Sequence, residues 1–414
     1  MKKILFNKIS LIFALLISAM ALFSGCAMNA VSYHITNFPN KIIYEIGEKP
    51  NYAGLKIETT NSDGTNTMVG LNGAEISKVD TSTSGEKKVF VKKGSFSTAF
   101  NIYVASVVVN DSDNLKEKFQ SLVDGDVVYL KAGNYVPKSS SDESYKDVVI
   151  NKSVTIIGDG RGTTKFYGNF IVGANLNSGN YEAMQSARDV KIFNIGFKLN
   201  YVVKKGFTNY VGPYGKTDRN GAINAFNTQN LSVKNCSFDG YAYGILGNNL
   251  NGLTIENNSF RNILKNAIKT TQDTRNANIY KNVFMDISKN VIASDNNSQS
   301  SLGAIELAFA QKGNAGVIVC KNTFTRIGLC DGGFVFYDEA SKTFSEQTRE
   351  KLKTLSYINN SAIITLLSSA ENDLDVSGII LSTNNYGQAL TNIRLNTTAS
   401  NNIDQNGVIV TEAY

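Results

Sequence analysis

Seven side chains in this sequence are of types that can move a proton, clamp a carboxylate or hold a cation: Lys269, Glu306, Asp218, Arg219, Arg275, Tyr214 and Asn224. β-Elimination beside a carboxylate needs a base for the proton and a cation to neutralise that carboxylate. Lys269 is the candidate base, because an ammonium among other cations titrates low. Arg219 is its candidate catalytic partner, and either Arg219 or Arg275 can clamp the substrate. Glu306 and Asp218 offer the oxygen ligands that a hard cation such as Ca²⁺ prefers. Tyr214 and Asn224 add an aromatic and an amide contact for substrate. The plain alternative is that Lys269 and Glu306 form an exposed ion pair of small energetic value.

The spacing of these residues comes from a repeat. An eight-residue phrase returns at 190–197 (VKIFNIGF), 231–238 (LSVKNCSF), 253–260 (LTIENNSF), 277–284 (ANIYKNVF) and 317–324 (VIVCKNTF). The starts lie 41, 22, 24 and 40 residues apart, so the unit is 22–24 residues long with insertions in two gaps. A fixed period in this range signals stacked structural repeats. If each coil contributes short strands, equivalent residues stack about 4.8 Å apart. The first and third positions (Leu231 and Val233, Leu253 and Ile255, Ala277 and Ile279, Val317 and Val319) then face inward. The terminal Phe238, Phe260, Phe284 and Phe324 form a second inward stack. Asn258, Asn282 and Asn322 fall at the turn between, where inward amides can satisfy one another and the backbone. Cys236 occupies the same slot and is expected to be a buried structural thiol, as are Cys320 and Cys330. A further strand follows each Phe: Ala222–Asn224, Gly244–Leu246, Ala267–Lys269, and either Val291–Ala293 or Gly303–Glu306. With Ile223, Ile245, Ile268 and Ile305 inward, period-two alternation sends Asn224, Leu246, Lys269 and Glu306 outward in one column. Insertions at 198–221 and 295–302 enter beside that column.

Composition narrows the field. Charged residues make up 18% of the chain, with 34 Gly and only 4 Pro, which suits short strands and tight turns better than long helices. One histidine (His34) rules out a His-based triad or His-rich metal site in the repeats, and without tryptophan any sugar platform must use Tyr or Phe. Four cysteines without a C-x-x-C spacing give no zinc signature. The formal charge of +6 falls to +3 once a leader carrying Lys2, Lys3 and Lys8 is removed, too little to argue for nucleic acid.

Residues 1–26 read as an export signal. Met1-Lys-Lys opens a basic start, Leu11 to Phe23 is apolar, and Ser24-Gly25-Cys26 ends the run. That apolar stretch is short for a membrane span and suits a signal core. The end resembles a bacterial lipobox, with Phe23 where that pattern usually has Leu. The resemblance implies cleavage before Cys26, lipidation of its thiol, and an exported protein held at the outward face of a bacterial membrane. An ordinary secretory signal and an uncleaved anchor are the alternatives.

Residues 31–106 alternate apolar and polar positions in short runs broken by turns, which reads as a small β-sandwich. Tyr44-x-x-Gly-Glu48, Gly54-Leu-Lys56, Ser62-Asp-Gly-Thr65 and Ser84-Gly-Glu-Lys-Lys-Val89 resemble the bacterial Ig-like domain of group 3. In that family the module is a spacer or adhesive unit. Direct ligand binding is the other reading.

Residues 107–414 open with an amphipathic helix over Asp113–Val123, then strands at Gly125–Tyr135, Val148–Ile150 and Val154–Ile157. With Gly158-Asp-Gly-Arg-Gly162 this opening resembles the N-terminal cap and first coils of pectin-lyase-like right-handed parallel β-helices. There the helix plugs an open core end, and the third-strand sheet carries the groove of polysaccharide lyases. The expected fold class is therefore all-β, a right-handed parallel β-helix preceded by an Ig-like sandwich. Particular sites depart from known members. Gly221 stands where pectate lyases of this fold would have Asp before Ala-Ile. Cys236-Ser-Phe-Asp-Gly-Tyr241 resembles a pectin methylesterase phrase, yet Ala242-Tyr243 replaces its Gln-Asp. Ser345–Leu355 reads as helical, with last strands at Ala362–Leu367, Gly378–Leu381 and Gly407–Val410. Two functions remain open: a pectate-type lyase acting on an acidic glycan, or a non-catalytic adhesin or glycan-binding rod. In either case the partner is a polysaccharide or cell-surface glycan, the membrane is met through the lipid anchor alone, and a monomer is expected.

Overall fold

The computed structural model describes residues 30–137, 147–173, 187–199, 221–263, 265–287, 303–310, 313–327, 334–338, 343–347, 364–368, 375–382, 393–396 and 398–400. The chain divides into two compact units, Met1–Val104 and Ala105–Tyr414.

The first unit pairs two antiparallel-rich sheets. Strands Ala30–Asn37, Lys56–Asn61 and Asn66–Val69 form one, and Ile43–Tyr44, Phe96–Val104, Gly85–Lys93 and Glu75–Ile76 form the other. Along Gly85–Lys93, Val89 and Val91 turn inward while Lys88 and Phe90 stay exposed, the period-two pattern of a half-buried sheet. Tyr44, Leu55, Ile57, Phe100 and Ile102 complete the core. The Tyr44 hydroxyl donates within 2.8 Å of the carbonyls of Lys41 and Asn51. That contact satisfies a buried phenol and ties down the turn at Gly47, whose φ of +80° suits glycine.

In the second unit the chain winds through three parallel sheets. The first runs Val107–Val109, Val127–Leu130, Thr155–Gly158, Lys191–Phe193 and Gln229–Lys234. It continues through the later halves of Tyr243–Glu256 and Ile268–Tyr280 to Gly313–Cys320, Asp375–Ser382 and Thr398–Ser400. The second runs from Gly133–Tyr135 through Thr164–Phe166, Gly196–Lys198, Ser237–Asp239, Ser259–Ile263 and Val283–Ile287 to Thr323–Ile327. The third joins Asp147–Ile150, Asn169–Val172 and Gly221–Phe226 to the earlier halves of Tyr243–Glu256 and Ile268–Tyr280. It then adds Ile305–Phe309, Ile364–Ser368 and Ile393–Asn396. Successive coils stacking strand on strand make a parallel β-helix.

The repeat packs as its period requires. Leu231, Leu253 and Ala277 share one register, and Val233, Ile255, Ile279 and Val319 another. Phe197, Phe238, Phe260, Phe284 and Phe324 lie nearly parallel, with successive ring centroids 5.1, 4.6, 5.0 and 4.9 Å apart. Asn258, Asn282 and Asn322 form the inward ladder. Asn258 N–H and Nδ2 donate to Asn282 Oδ1 at 2.9 and 3.0 Å, and Asn282 repeats both bonds with Asn322 Oδ1 at 2.9 and 3.1 Å. Each Nδ2 also reaches a carbonyl of the coil before: Val233, Ile255 and Ile279, all at 2.9 Å. Cys236 fills the equivalent slot, its Sγ 3.6 Å from the Ile192 carbonyl and 3.3 Å from that of Lys234. Burial pushes this thiol up to about 12. Cys236 is therefore expected to resist an aqueous alkylating reagent at pH 8 until the protein unfolds, while the half-buried Cys320 reacts sooner. Peptide mapping after timed labelling checks this, and early labelling of Cys236 would contradict a sealed core.

The abundance of asparagine has a second cause. Coil corners are made by single left-handed residues, including Asn194, Asn235 and Asn257 in one series and Asn227 and Asn249 in another. Among side-chain-bearing residues, Asn tolerates this backbone best. Asn249 and Gln272 turn such corners inside Tyr243–Glu256 and Ile268–Tyr280, so these strands pass from the third sheet into the first without a loop.

Several expectations change. The helix is shorter, Leu115–Gln120, with Leu115 and Phe119 buried and Phe119 packed 5.8 Å from Phe170. Val123 lies beyond it and is exposed, because the chain has left the helix before that residue could join its apolar face. The helical reading of Ser345–Leu355 fails where it is described. Thr343–Gln347 is a strand paired antiparallel with Phe334–Asp338, whose aromatic and β-branched residues favour strand pairing over the local helical preference. Residues 348–355, Val291–Ala293 and Gly407–Val410 lie outside the described residues. Of the two candidates for the fourth coil, Gly303–Glu306 enters the third sheet, with Ile268 opposite Ile305 and Lys269 opposite Glu306.

Candidate functional site

The outward column on the third sheet holds its register. Asn224 pairs with Leu246, Leu246 with Lys269, Lys269 with Glu306, Glu306 with Thr365 and Thr365 with Arg394. Ile223, Ile245, Ile268 and Ile305 on the opposite face are fully buried in the core. The site thus stands on a backbone whose other side is packed hydrocarbon, which fixes its strands against sliding.

The members of the column differ in surroundings. Asn224 is fully buried. Its Oδ1 accepts from Gly221 N–H at 3.1 Å and its Nδ2 donates to Gly221 O at 2.7 Å. It braces its own strand. A Cβ on residue 221 would lie 3.0 Å from Asn224 Oδ1, the Ile223 carbonyl and Leu246 Cβ, so glycine suits this packed corner. Leu246 is half-buried. Lys269 Nζ lies 2.7 Å from Glu306 Oε1, with the two side chains 22% and 4% exposed. This is a largely desolvated pair in place of the exposed one, and removing one partner would strand a charge.

Two residues not singled out from sequence complete the cluster. Lys265, at the corner before the strand, has its ammonium 5.5 Å from the ring centre of Tyr243 in the preceding coil. Burial pulls the Lys265 amine down to about 8, the neighbouring Lys269 charge adds to the fall, and Glu306 opposes it. Burial also pushes the Tyr243 phenol up, helped by Glu306. The amine held low is thus Lys265, in the same coil as the Lys269 expected from sequence. Its signal is weak, since only the spacing of two lysines around Asn266-Ala-Ile268 marks it. At neutral pH the cluster offers a cation-rich spot for one carboxylate. Near pH 8 it adds a neutral amine beside an ammonium and a protonated phenol.

Arg275 sits elsewhere. It lies in the first-sheet half of its strand, opposite Asn251, with Nε 3.1 Å from Asp273 Oδ2 and a guanidinium nitrogen 3.1 Å from the Gly313 carbonyl. Asp273 Oδ1 in turn accepts from Ala310 N–H at 3.0 Å. The group braces a corner and is not brought to Lys269. Tyr214, Asp218, Arg219 and Cys26 lie outside the described residues. Among the described residues no three acidic, histidine or cysteine side chains converge to hold a metal. Glu306 is engaged by Lys269, and Asp218, the other carboxylate expected to serve a cation, lies outside the described residues.

Residues 38–104 match the bacterial Ig-like domain (group 3). The sandwich of the first unit is that Ig-like module, as its motifs implied. No curated protein matches the sequence. Among solved structures, a pectin methylesterase in complex with a hexasaccharide is similar over 75% of this chain and 85% of its own, at 8% identity and a TM-score of 0.36. The catalytic domain of a GH87 alpha-1,3-glucanase in complex with tetrasaccharides is similar over 92% and 83%, at 13% identity and a TM-score of 0.31. A Yersinia enterocolitica family 28 exopolygalacturonase is similar over 80% and 86%, at 10% identity and a TM-score of 0.31.

Proposed function

We propose that this protein is an exported, carbohydrate-directed surface protein whose third sheet binds an acidic glycan and cleaves it by β-elimination. One arrangement carries the reading: the Lys265 amine, pulled down by burial and by the neighbouring Lys269 charge, lies 5.5 Å from the centre of the Tyr243 ring, next to the Lys269–Glu306 pair. In this scheme a uronate carboxylate sits against Lys269. Neutral Lys265 takes the proton from the carbon bearing that carboxylate, and the electron pair becomes the new carbon–carbon double bond as the glycosidic oxygen leaves. Tyr243, kept protonated, donates a proton to that oxygen. Glu306 holds Lys269 in place. No step uses calcium.

The Lys269–Glu306 contact also supports a second reading, a non-catalytic adhesin whose cation cluster holds a carboxylate without breaking a bond. The deciding experiment incubates the full chain with a panel of uronate polymers, with Ca²⁺ and with chelator, and follows the absorbance of the unsaturated product. Product on any polymer supports the lyase. Retardation of a polymer in affinity electrophoresis without product supports the binder, and neither signal on the whole panel would sink both.

The proposal places the Ig-like module as a spacer behind a lipid anchor at Cys26. Among the described residues no helix is long and apolar enough to cross a membrane. If the thiol of Cys26 carries the anchor, Cys26→Ser is expected to move the protein from the membrane fraction to the soluble fraction, checked by fractionation and immunoblot. A mutant that still sediments with membranes would count against the anchor.

A further inference from the structure

The charge along the third sheet limits which acidic glycan can lie there. Rungs are about 4.8 Å apart, close to the advance of one sugar in an extended chain. A glycan along the column therefore presents about one sugar per rung. The rung before the cluster carries Tyr243 and half-buried Leu246, with no charge at neutral pH. The next carries Lys265 and Lys269, and the next Glu306. Among the described side chains of these three rungs, two amines face one carboxylate. Even with both amines protonated the net charge is a single positive.

One substrate carboxylate balances that charge. A homopolymeric uronate brings three, leaving one opposite uncharged Leu246 and one over the rung of Glu306, with no further cation on these rungs' described side chains to balance either. Leu246 and the Tyr243 ring instead suit the apolar face of an uncharged sugar. Glu306, buried and paired with Lys269, adds no cation for the sugar beyond. From this juxtaposition we infer that the substrate class is a glycan with its uronates spaced by neutral sugars, as in an alternating uronate–amino sugar copolymer. The inference rests on the proposed function and sharpens it.

The test uses the full chain on three polymers matched for length and uronate concentration: an alternating glucuronate–N-acetylglucosamine polymer, polygalacturonate and polymannuronate. Initial rates of unsaturated product and retardation in affinity electrophoresis are both read. The alternating polymer is expected to be favoured at least 10-fold over either homopolymer by whichever readout responds. Equal or better performance of a homopolymer overturns the spacing inference and leaves the proposed function standing. Silence of all three in both readouts overturns both. Leu246→Lys adds a cation to the neighbouring rung and should narrow the ratio several-fold. A folded Leu246→Lys protein with an unchanged ratio would count against the charge argument.

Discussion

Lys265→Met is expected to lower the elimination rate by about 10²–10⁴-fold, the range of a lost general base, while keeping the fold. Methionine preserves the length of the stem and removes only the amine. Lys265 lies at a corner whose backbone N–H already bonds the Ala242 carbonyl at 2.9 Å, so its side chain is not needed to close the coil. The wild-type rate should climb as pH rises through about 8, where the amine loses its proton. A second readout separates chemistry from structure. In the unfolded chain Lys265 titrates near its ordinary 10.5 and in the folded chain near 8. Between these values the unfolded chain binds the proton that the folded chain has released, so raising pH across that window favours folding. Below about 8 both states are protonated and the burial penalty on the charge remains. Lys265→Met should erase this rise in stability, followed by urea unfolding at stepped pH. A variant with the wild-type rate and pH profile would remove Lys265 from the mechanism.

Asn282→Leu should destabilise the β-helix by about 4 kcal/mol and lower its melting temperature by roughly 10 °C. Asn282 is 1% exposed. Leucine would leave the Asn258 N–H and side-chain amide without their acceptor and the Ile255 carbonyl without its donor, each costing about 1–3 kcal/mol when buried. The control is Asn278→Leu, the same exchange at an exposed position of the same coil, expected within about 0.5 kcal/mol of wild type. Calorimetry of the two variants decides. Equal losses would mean the ladder satisfies nothing that water cannot.

These two residues also mark what is legible from sequence. Asn282 is readable because its neighbours Asn258 and Asn322 recur at the repeat period, and the same period marks the phenylalanine stack and the inward aliphatics. The outward register of Lys269 and Glu306 follows from simple alternation. Their burial does not, because alternation reports direction and says nothing about what lies over a face. Asn224 faces outward as expected yet is consumed by Gly221, a contact between a side chain and its own strand that pattern alone does not encode. Lys265 escapes the pattern for a related reason. Its surroundings include Tyr243 from the coil before and Glu306 from the coil after, brought together only by coil stacking. Towards the C-terminus the strand Asp375–Ser382 keeps the register of the coils, but Tyr386 stands in the sequence where the earlier phrases end in Phe.

The aromatic stack also separates contour length from axial rise. Phe238 and Phe260 are joined by a single uninterrupted repeat and stack at 4.6 Å, while Phe284 and Phe324 are joined by a much longer path and stack at 4.9 Å. The inserted chain therefore leaves the advance from coil to coil almost unchanged. The path between Phe284 and Phe324 behaves as a docking port whose cargo the scaffold does not register. Foreign loops, epitopes or whole small domains grafted between Phe284 and Phe324 should leave the neighbouring coils in step, giving a ruler with a mark about every 4.8 Å on which groups can be displayed at chosen heights.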